Sequence, residues 1–266
     1  TDKVIPLMNA WRTRLLDRVY SFVFLDAMHF RVKVEGGRVE SRMLHLVYGV
    51  TTEGKRTVLG MYLAATEGAK YWLQILSDLK SRGVEDMLIV SVDGLKGFEE
   101  AIKTVFPKAV VQACVVHQIR QSIKFVSEKD MKDFMIDLKN VYQAANRLQS
   151  EENLEVLDQK WGKKYAPVIS SWRNNWQRLS AYFDYPPVIR KVMYTTNAIE
   201  GLNRQIRKIT KSKGAFPSET ALFKLVYLVI DEISKKKKQS IPNWGEIAGQ
   251  LHIIFGERAD IDIKRF

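Results

Sequence analysis

The stretch Tyr20-Ser-Phe-Val-Phe-Leu-Asp26-Ala-Met-His-Phe30 decides the fold, because it sets an aspartate in the middle of an apolar run. A second run, Met87-Leu-Ile-Val-Ser-Val-Asp93-Gly94, also ends on an aspartate. Both read as buried strands that carry a carboxylate, and an ionised carboxylate in a sheet is costly unless something positive neutralises it. No Lys or Arg lies beside Asp93, and only Arg31 and Lys33 follow Asp26. A divalent cation held between strand ends answers that cost and points to hydrolytic or phosphoryl-transfer chemistry. Taken alone, Asp26 has the alternative of a strand-end or paired aspartate, and Asp93-Gly94 that of an ordinary turn. The pair is more specific than either member.

Working outward, residues 18–65 read as three strands: one through Asp26 to about Val34, one over Val39–Val50 after Gly36-Gly37, and one from Arg56 to Ala65 after Glu53-Gly54. An amphipathic helix follows from Gly68 to Arg82, with Trp72, Leu73, Leu76 and Leu79 at helical spacing and Gly83 as its C-terminal cap. Asp93's strand, a short helix stopped by Pro107, a fifth strand over Ala109–Val115 and a helix from His117 complete the series. The order β-β-β-α-β-α-β-α predicts a mixed five-stranded α/β sheet with helices on both faces, and brings Asp26 beside Asp93.

From about Glu128 to Ala181 the strand-like runs stop. Polar residues alternate with Phe134, Leu138, Tyr142, Leu154, Leu157, Trp161, Trp172 and Trp176, the pattern of three or four helices, and Pro186-Pro187 marks the exit. The resulting division is a first core part at 1–127, an all-α insertion at 128–190, and a second core part at 191–266. In the last part, Asn197 and Ser218 read as helix N-caps, the second helix running to Lys235–Lys238.

Glu200 is either the first-turn acid of a capping box or a third acidic ligand. Arg204, Arg207, Lys208 and Lys211 follow it as a basic stripe suited to a phosphate backbone, or else a solvated cationic face. A net charge of +12 favours a polyanionic partner, nucleic acid or anionic membrane. No apolar stretch is long enough for a membrane span. One cysteine excludes an internal disulfide framework and suits a reducing cytosol. The start at Thr1 without methionine, running quickly into Trp11 and Leu15, reads as a piece excised from something longer. Cys114 and His117 form a C-x-x-H pair, and zinc is a poor reading with one cysteine and four histidines; a buried thiol beside a helix-start histidine is the plain alternative.

Tyr194-Thr-Thr-Asn-Ala-Ile-Glu200-Gly-Leu-Asn-Arg204, with Lys211-Ser-Lys213-Gly-Ala-Phe216-Pro downstream, resembles the signature of Mutator-type bacterial insertion-sequence transposases. Leu25-Asp26-Ala, Ser91-Val-Asp93-Gly-Leu-Lys-Gly-Phe98 and Gln112-Ala-Cys114-Val-Val-His117-Gln-Ile-Arg120 match it in the same order, and the likeness covers residues 20 to 255. It implies a ribonuclease-H-like fold with an all-α insertion, and Asp26, Asp93 and Glu200 as a catalytic Asp-Asp-Glu triad holding two Mg²⁺ ions, for which Mn²⁺ can substitute. It further implies His117, supported by Cys114, near the scissile phosphate, and DNA contacts from Arg204, Arg207, Lys208, Lys211 and Lys213. An insertion-domain tryptophan that stacks on an unpaired base would suit Trp172, flanked by Arg173, against a core role for the same ring.

The expected activity is cleavage at transposon ends and transfer of the 3′-hydroxyl into target DNA. The expected partners are double-stranded terminal inverted repeats and target DNA, bound as a homodimer, with no membrane, in the bacterial cytoplasm and nucleoid. Rival readings are a structure-selective metal-dependent nuclease without strand transfer, and a DNA-binding derivative that has lost catalysis.

Overall fold

A computed structural model describes residues 3–66, 68–93, 97–194, 197–236 and 240–260. Five strands, β1 (Val19–Lys33), β2 (Val39–Thr51), β3 (Arg56–Ala64), β4 (Asp86–Val92) and β5 (Val110–Ala113), form one mixed sheet in the order β3-β2-β1-β4-β5. β1 and β2 pair antiparallel, as do β2 and β3, while β1 and β4 run parallel. The expected sheet is therefore present. Its strands are apolar on both faces where β1 is central, which is what a sheet covered by helices on both sides requires.

The glycines act where the chain must turn left-handed. Gly36 and Gly37, at φ 80 and 76, close the β1–β2 connection, and Gly83 at φ 105 follows the end of the helix over Ala69–Ser81. The remaining helices are α1 (Val4–Thr13), α2 (Ala69–Ser81), α3 (Phe98–Val105), α4 (Val115–Ile123), α5 (Glu128–Tyr142), α6 (Arg147–Asn174), α7 (Trp176–Leu179), α8 (Pro187–Tyr194), α9 (Asn197–Thr210), α10 (Glu219–Lys236) and α11 (Trp244–Phe255).

The chain divides into two compact units, Thr1–Val110 with Thr196–Phe266, and Val111–Thr195. In the first, alternate residues of β2 show the two faces. His45 lies 4.9 Å, ring to ring, from both Tyr71 and Trp72 of α2. Ala27 pairs with His45, so Asp26 and its partner Leu46 face the other way, toward α9. Ser218 caps α10 as expected, accepting the Ala221 N–H at 3.1 Å. The expected Asn197 cap and the end of the lysine run at Lys237 and Lys238 lie outside the described residues.

In the second unit every described element from Glu128 to Tyr194 is helical. Its core holds Phe134, Leu138, Leu154, Leu157, Tyr165 and Trp172. Pro167 sits inside α6, and the break falls at Tyr165, whose φ and ψ are −126 and 40; the missing proline N–H and its clash with the preceding turn account for it. This unit starts earlier than the insertion expected at 128–190. Gln112 Nε2 donates to Leu179 O at 2.9 Å, and Gln118 Nε2 donates to Ser171 Oγ at 2.8 Å, which ties β5 and α4 to the later helices. The fifth strand is also shorter than expected. It ends at Ala113 because the Cys114 sulfur accepts the His117 N–H at 3.4 Å and starts α4 at Val115.

Candidate active site

Asp26 is 7% exposed in the middle of β1. Its Oδ1 accepts the Ala27 N–H at 2.8 Å, and its Oδ2 accepts the side-chain amide N–H of Asn203. Asp93 is half-buried, just past the end of β4. The parallel pairs from Val19↔Asp86 to Phe24↔Ser91 all keep the offset that separates Asp26 from Asp93. Asp93 lies two residues beyond the last of these pairs, at the position that the same offset assigns to Asp26.

Glu200 comes to the same face through α9. Ile199, Leu202, Asn203, Ile206 and Thr210 form the buried stripe of this helix. Glu200 is half-buried, one turn N-terminal to Asn203, on the edge of that stripe. The hydrogen bond from Asn203 to Asp26 holds α9 against β1, with Glu200 one turn further toward the helix N-terminus. The far end of α9 is fastened as well. Phe216, 3% exposed, forms a parallel bridge with Val32. Its N–H donates to Arg31 O, and its carbonyl accepts the Lys33 N–H, both at 2.8 Å. Phe30 meets its ring edge-on at 5.9 Å. Phe216 stands in the downstream motif, and Asn203 in the motif of Glu200, without a role that sequence alone assigns. The available signal was a lone amide on the apolar stripe of a helix, three residues after an acid.

Glu200, Arg204, Arg207 and Lys211 lie at steps of four, three and four, which is one flank of a helix. Arg204, Arg207, Lys208, Lys211 and Lys213 are all exposed, so this flank is a cationic track that begins beside Glu200.

Other expected site residues belong to the helical unit. Cys114 is 3% exposed and His117 half-buried, joined through the His117 backbone N–H by the cap that starts α4. Trp172 needs correction. It is 1% exposed, and its indole N–H donates to Ser122 Oγ at 2.8 Å. A ring packed in this way has no face to offer a base. Arg173 is exposed, yet its guanidinium is bound to Glu155 and Asp158 at 2.7 Å each, and the hydrogen bonds it donates to these two raise its pKa. Both carboxylates repel a phosphate approaching that guanidinium.

No helix among the described residues is long and apolar enough to cross a membrane. A probable transposase of Sinorhizobium fredii for an insertion sequence element like ISRM3 is 40% identical to this chain, over 97% of it and 64% of the relative. The Rhizobium meliloti transposase for ISRM3 matches at 40% with the same coverage. A probable insertion-sequence transposase of Corynebacterium diphtheriae is 37% identical, over 94% of this chain and 75% of its own. The chain thus spans a little under two thirds of the length of the first two relatives. Among solved structures, the Drosophila P element transposase strand transfer complex has a TM-score of 0.29 at 12% identity, covering 90% of this chain and 66% of that one, too low to carry an argument. The family model described as "Transposase, Mutator family" matches residues 1–240, and the chain belongs to that family.

Proposed function

We propose that this chain is the catalytic core of a DNA transposase of ribonuclease-H-like fold with an all-α insertion, and that Asp26, Asp93 and Glu200 are its acidic triad. One observation carries the reading: the clasp of Asn203 on Asp26, which holds α9 against a strand whose offset with β4 assigns Asp93 to the position of Asp26.

The donor set fits a hard divalent cation such as Mg²⁺ or Mn²⁺. It offers carboxylate oxygens, one of them on a strand buried from water. When bound between these acids, such ions supply an activated water and neutralise charge on the phosphodiester. The side chains do the rest. Asp26 is held in position by β1, and Asp93 follows directly on the end of β4. Glu200 closes the set from a helix fastened at both Asn203 and Phe216. Arg204, Arg207, Lys208, Lys211 and Lys213 grip the phosphates that lead away from the reacting bond. His117 acts near the scissile phosphate and Cys114 supports its turn.

In this reading the substrates are double-stranded terminal inverted repeats and target DNA in the bacterial nucleoid. A homodimer brings two ends together. Water first frees a 3′-hydroxyl by breaking a phosphodiester, and that hydroxyl then attacks a target phosphodiester, one P–O bond forming as another breaks in each stage.

The test is nicking of labelled end-containing duplex in Mg²⁺ or Mn²⁺ by wild type and Asp93→Asn, with a plasmid supplied as target. Cutting and joined product by wild type alone are expected. Equal nicking by both proteins would sink the triad, and cutting that never yields joined product would select the plain nuclease.

A further inference from the structure

We propose that Asn203 is a positioning residue of the cation site, working through both ends of its amide. The inference rests on the triad reading above and goes one residue beyond it.

Asn203 is 5% exposed, on the apolar stripe of α9 among Ile199, Leu202 and Ile206. An amide costs free energy in that setting unless its donors and acceptor are used. The Nδ2–H end is used, on Asp26 Oδ2. The Oδ1 end is buried and has no hydrogen-bond partner among the described residues. Turning the amide over does not cure this, because the carbonyl oxygen would then face the Asp26 carboxylate, acceptor against acceptor. The orientation is fixed by Asp26, and the unmatched atom is an oxygen.

A buried carbonyl oxygen next to a carboxylate calls for a cation or for a water that donates to it. A divalent ion on Asp26 provides such a water in its own shell, since magnesium-like ions keep several of theirs. Asn203 would then have two tasks: its N–H holds the carboxylate in one orientation, and its oxygen would accept a hydrogen bond from a water of the ion's shell. Partners of this kind around metal ligands set affinity through orientation rather than charge. The same bond pins α9 to β1, so one side chain couples the placement of Asp26 and Glu200.

The experiment is Mn²⁺ binding to the purified chain by calorimetry, together with the Mn²⁺-induced change in melting temperature, for wild type, Asp26→Asn, Asn203→Leu and Asn203→Asp. Leucine keeps roughly the volume and removes both polar ends, so affinity should fall about 10- to 100-fold with the circular dichroism unchanged. Aspartate sets a second carboxylate against Asp26. The metal-free protein should melt lower, and Mn²⁺ should raise its melting temperature by more than it raises that of wild type.

Wild-type affinity in Asn203→Leu, while Asp26→Asn has lost binding, overturns this inference and leaves the triad standing. Equal binding by wild type and Asp26→Asn overturns the triad itself. Should Asn203→Leu fail to fold, Asn203→Asp decides alone, and a metal-induced shift no larger than wild type's counts against the proposal.

Discussion

The strand that carries Asp26 and the helical unit from Val111 to Thr195 treat charge in opposite ways. In the helices, acids meet lysine or arginine. Asp130 binds Lys164, Tyr165 and Ser127, and the Lys164 ammonium, then the Tyr165 hydroxyl, hold its pKa down to about 2. Asp137 takes Lys160 and the Trp161 indole at 2.7 Å each, and Arg173 is held by Glu155 and Asp158. On β1, the donors to Asp26 described above are an amide and a backbone N–H. A lysine cancels a carboxylate's charge, whereas a neutral donor stabilises the carboxylate and leaves its charge in place. Ion pairs of this kind serve the helical fold, while the amide and the backbone N–H orient the Asp26 carboxylate on its strand.

The sharpest way to break this contrast is to neutralise one acid from each region. Asp26→Asn should cut strand nicking by about 10³-fold or more, the several kcal/mol that a metal-held transition state represents. Asp130→Asn should leave nicking unchanged. Equal losses would mean that charge arrangement does not separate the two regions.

The next effect concerns packing. Trp172→Ala should destabilise the protein by about 3–5 kcal/mol, since a fully buried indole is removed and Ser122 loses its donor. Trp176 is half-buried with its indole N–H on Glu151, so its truncation should cost less. Urea denaturation of both variants measures the difference. A Trp172→Ala protein that keeps its stability but loses DNA binding would return this ring to the substrate.

Much of the sheet was legible before any coordinates, because β1, β2 and β4 are apolar runs bounded by glycine turns and only their pairing remained to be inferred. The offset that assigns Asp93 to the position of Asp26 follows from that pairing. The roles of Trp172 and Asn203 were not legible. A tryptophan beside an arginine reads the same whether it stacks on a base or on a core, and only the position of Ser122, on another helix, decides. Asn203 looked like any polar residue in a helix until the β1 strand was set against it. Unit boundaries drifted for a similar reason: Gln112 and Gln118 commit β5 and α4 to later helices through hydrogen bonds that leave no mark on hydrophobic periodicity.

On the α2 side of the same sheet, His45 sharpens the comparison, because it is a basic group that burial keeps neutral. It is fully buried, its Nδ1–H donates to Met43 O at 3.2 Å, and burial lowers its pKa to about 4. The unfolded chain takes up this proton near pH 6.5 and the folded one only near 4, so the unfolded state binds more protons across that window. Stability should therefore be full above pH 6.5 and fall by on the order of 3 kcal/mol as pH drops to 4. Urea midpoints at several pH values test this, and His45→Asn should flatten the slope; an unchanged slope would assign the acid sensitivity to other groups.

The smallest effect divides cations by whether they are already partnered. Log affinity for duplex DNA falls with log salt in proportion to the phosphates neutralised, so removing one true contact should reduce the slope by about 1. Arg207 is exposed on the flank of α9 that also bears Glu200, and Arg207→Ala should lower the slope by about that amount. Arg173 carries the same formal charge, but Glu155 and Asp158 surround it. Arg173→Ala should leave the slope unaltered and cost about 1 kcal/mol or less of stability, as exposed ion pairs do. Equal slope changes for the two arginines would show that DNA responds to net charge alone. A change confined to Arg207 would assign a phosphate contact to the flank of α9 that bears Glu200.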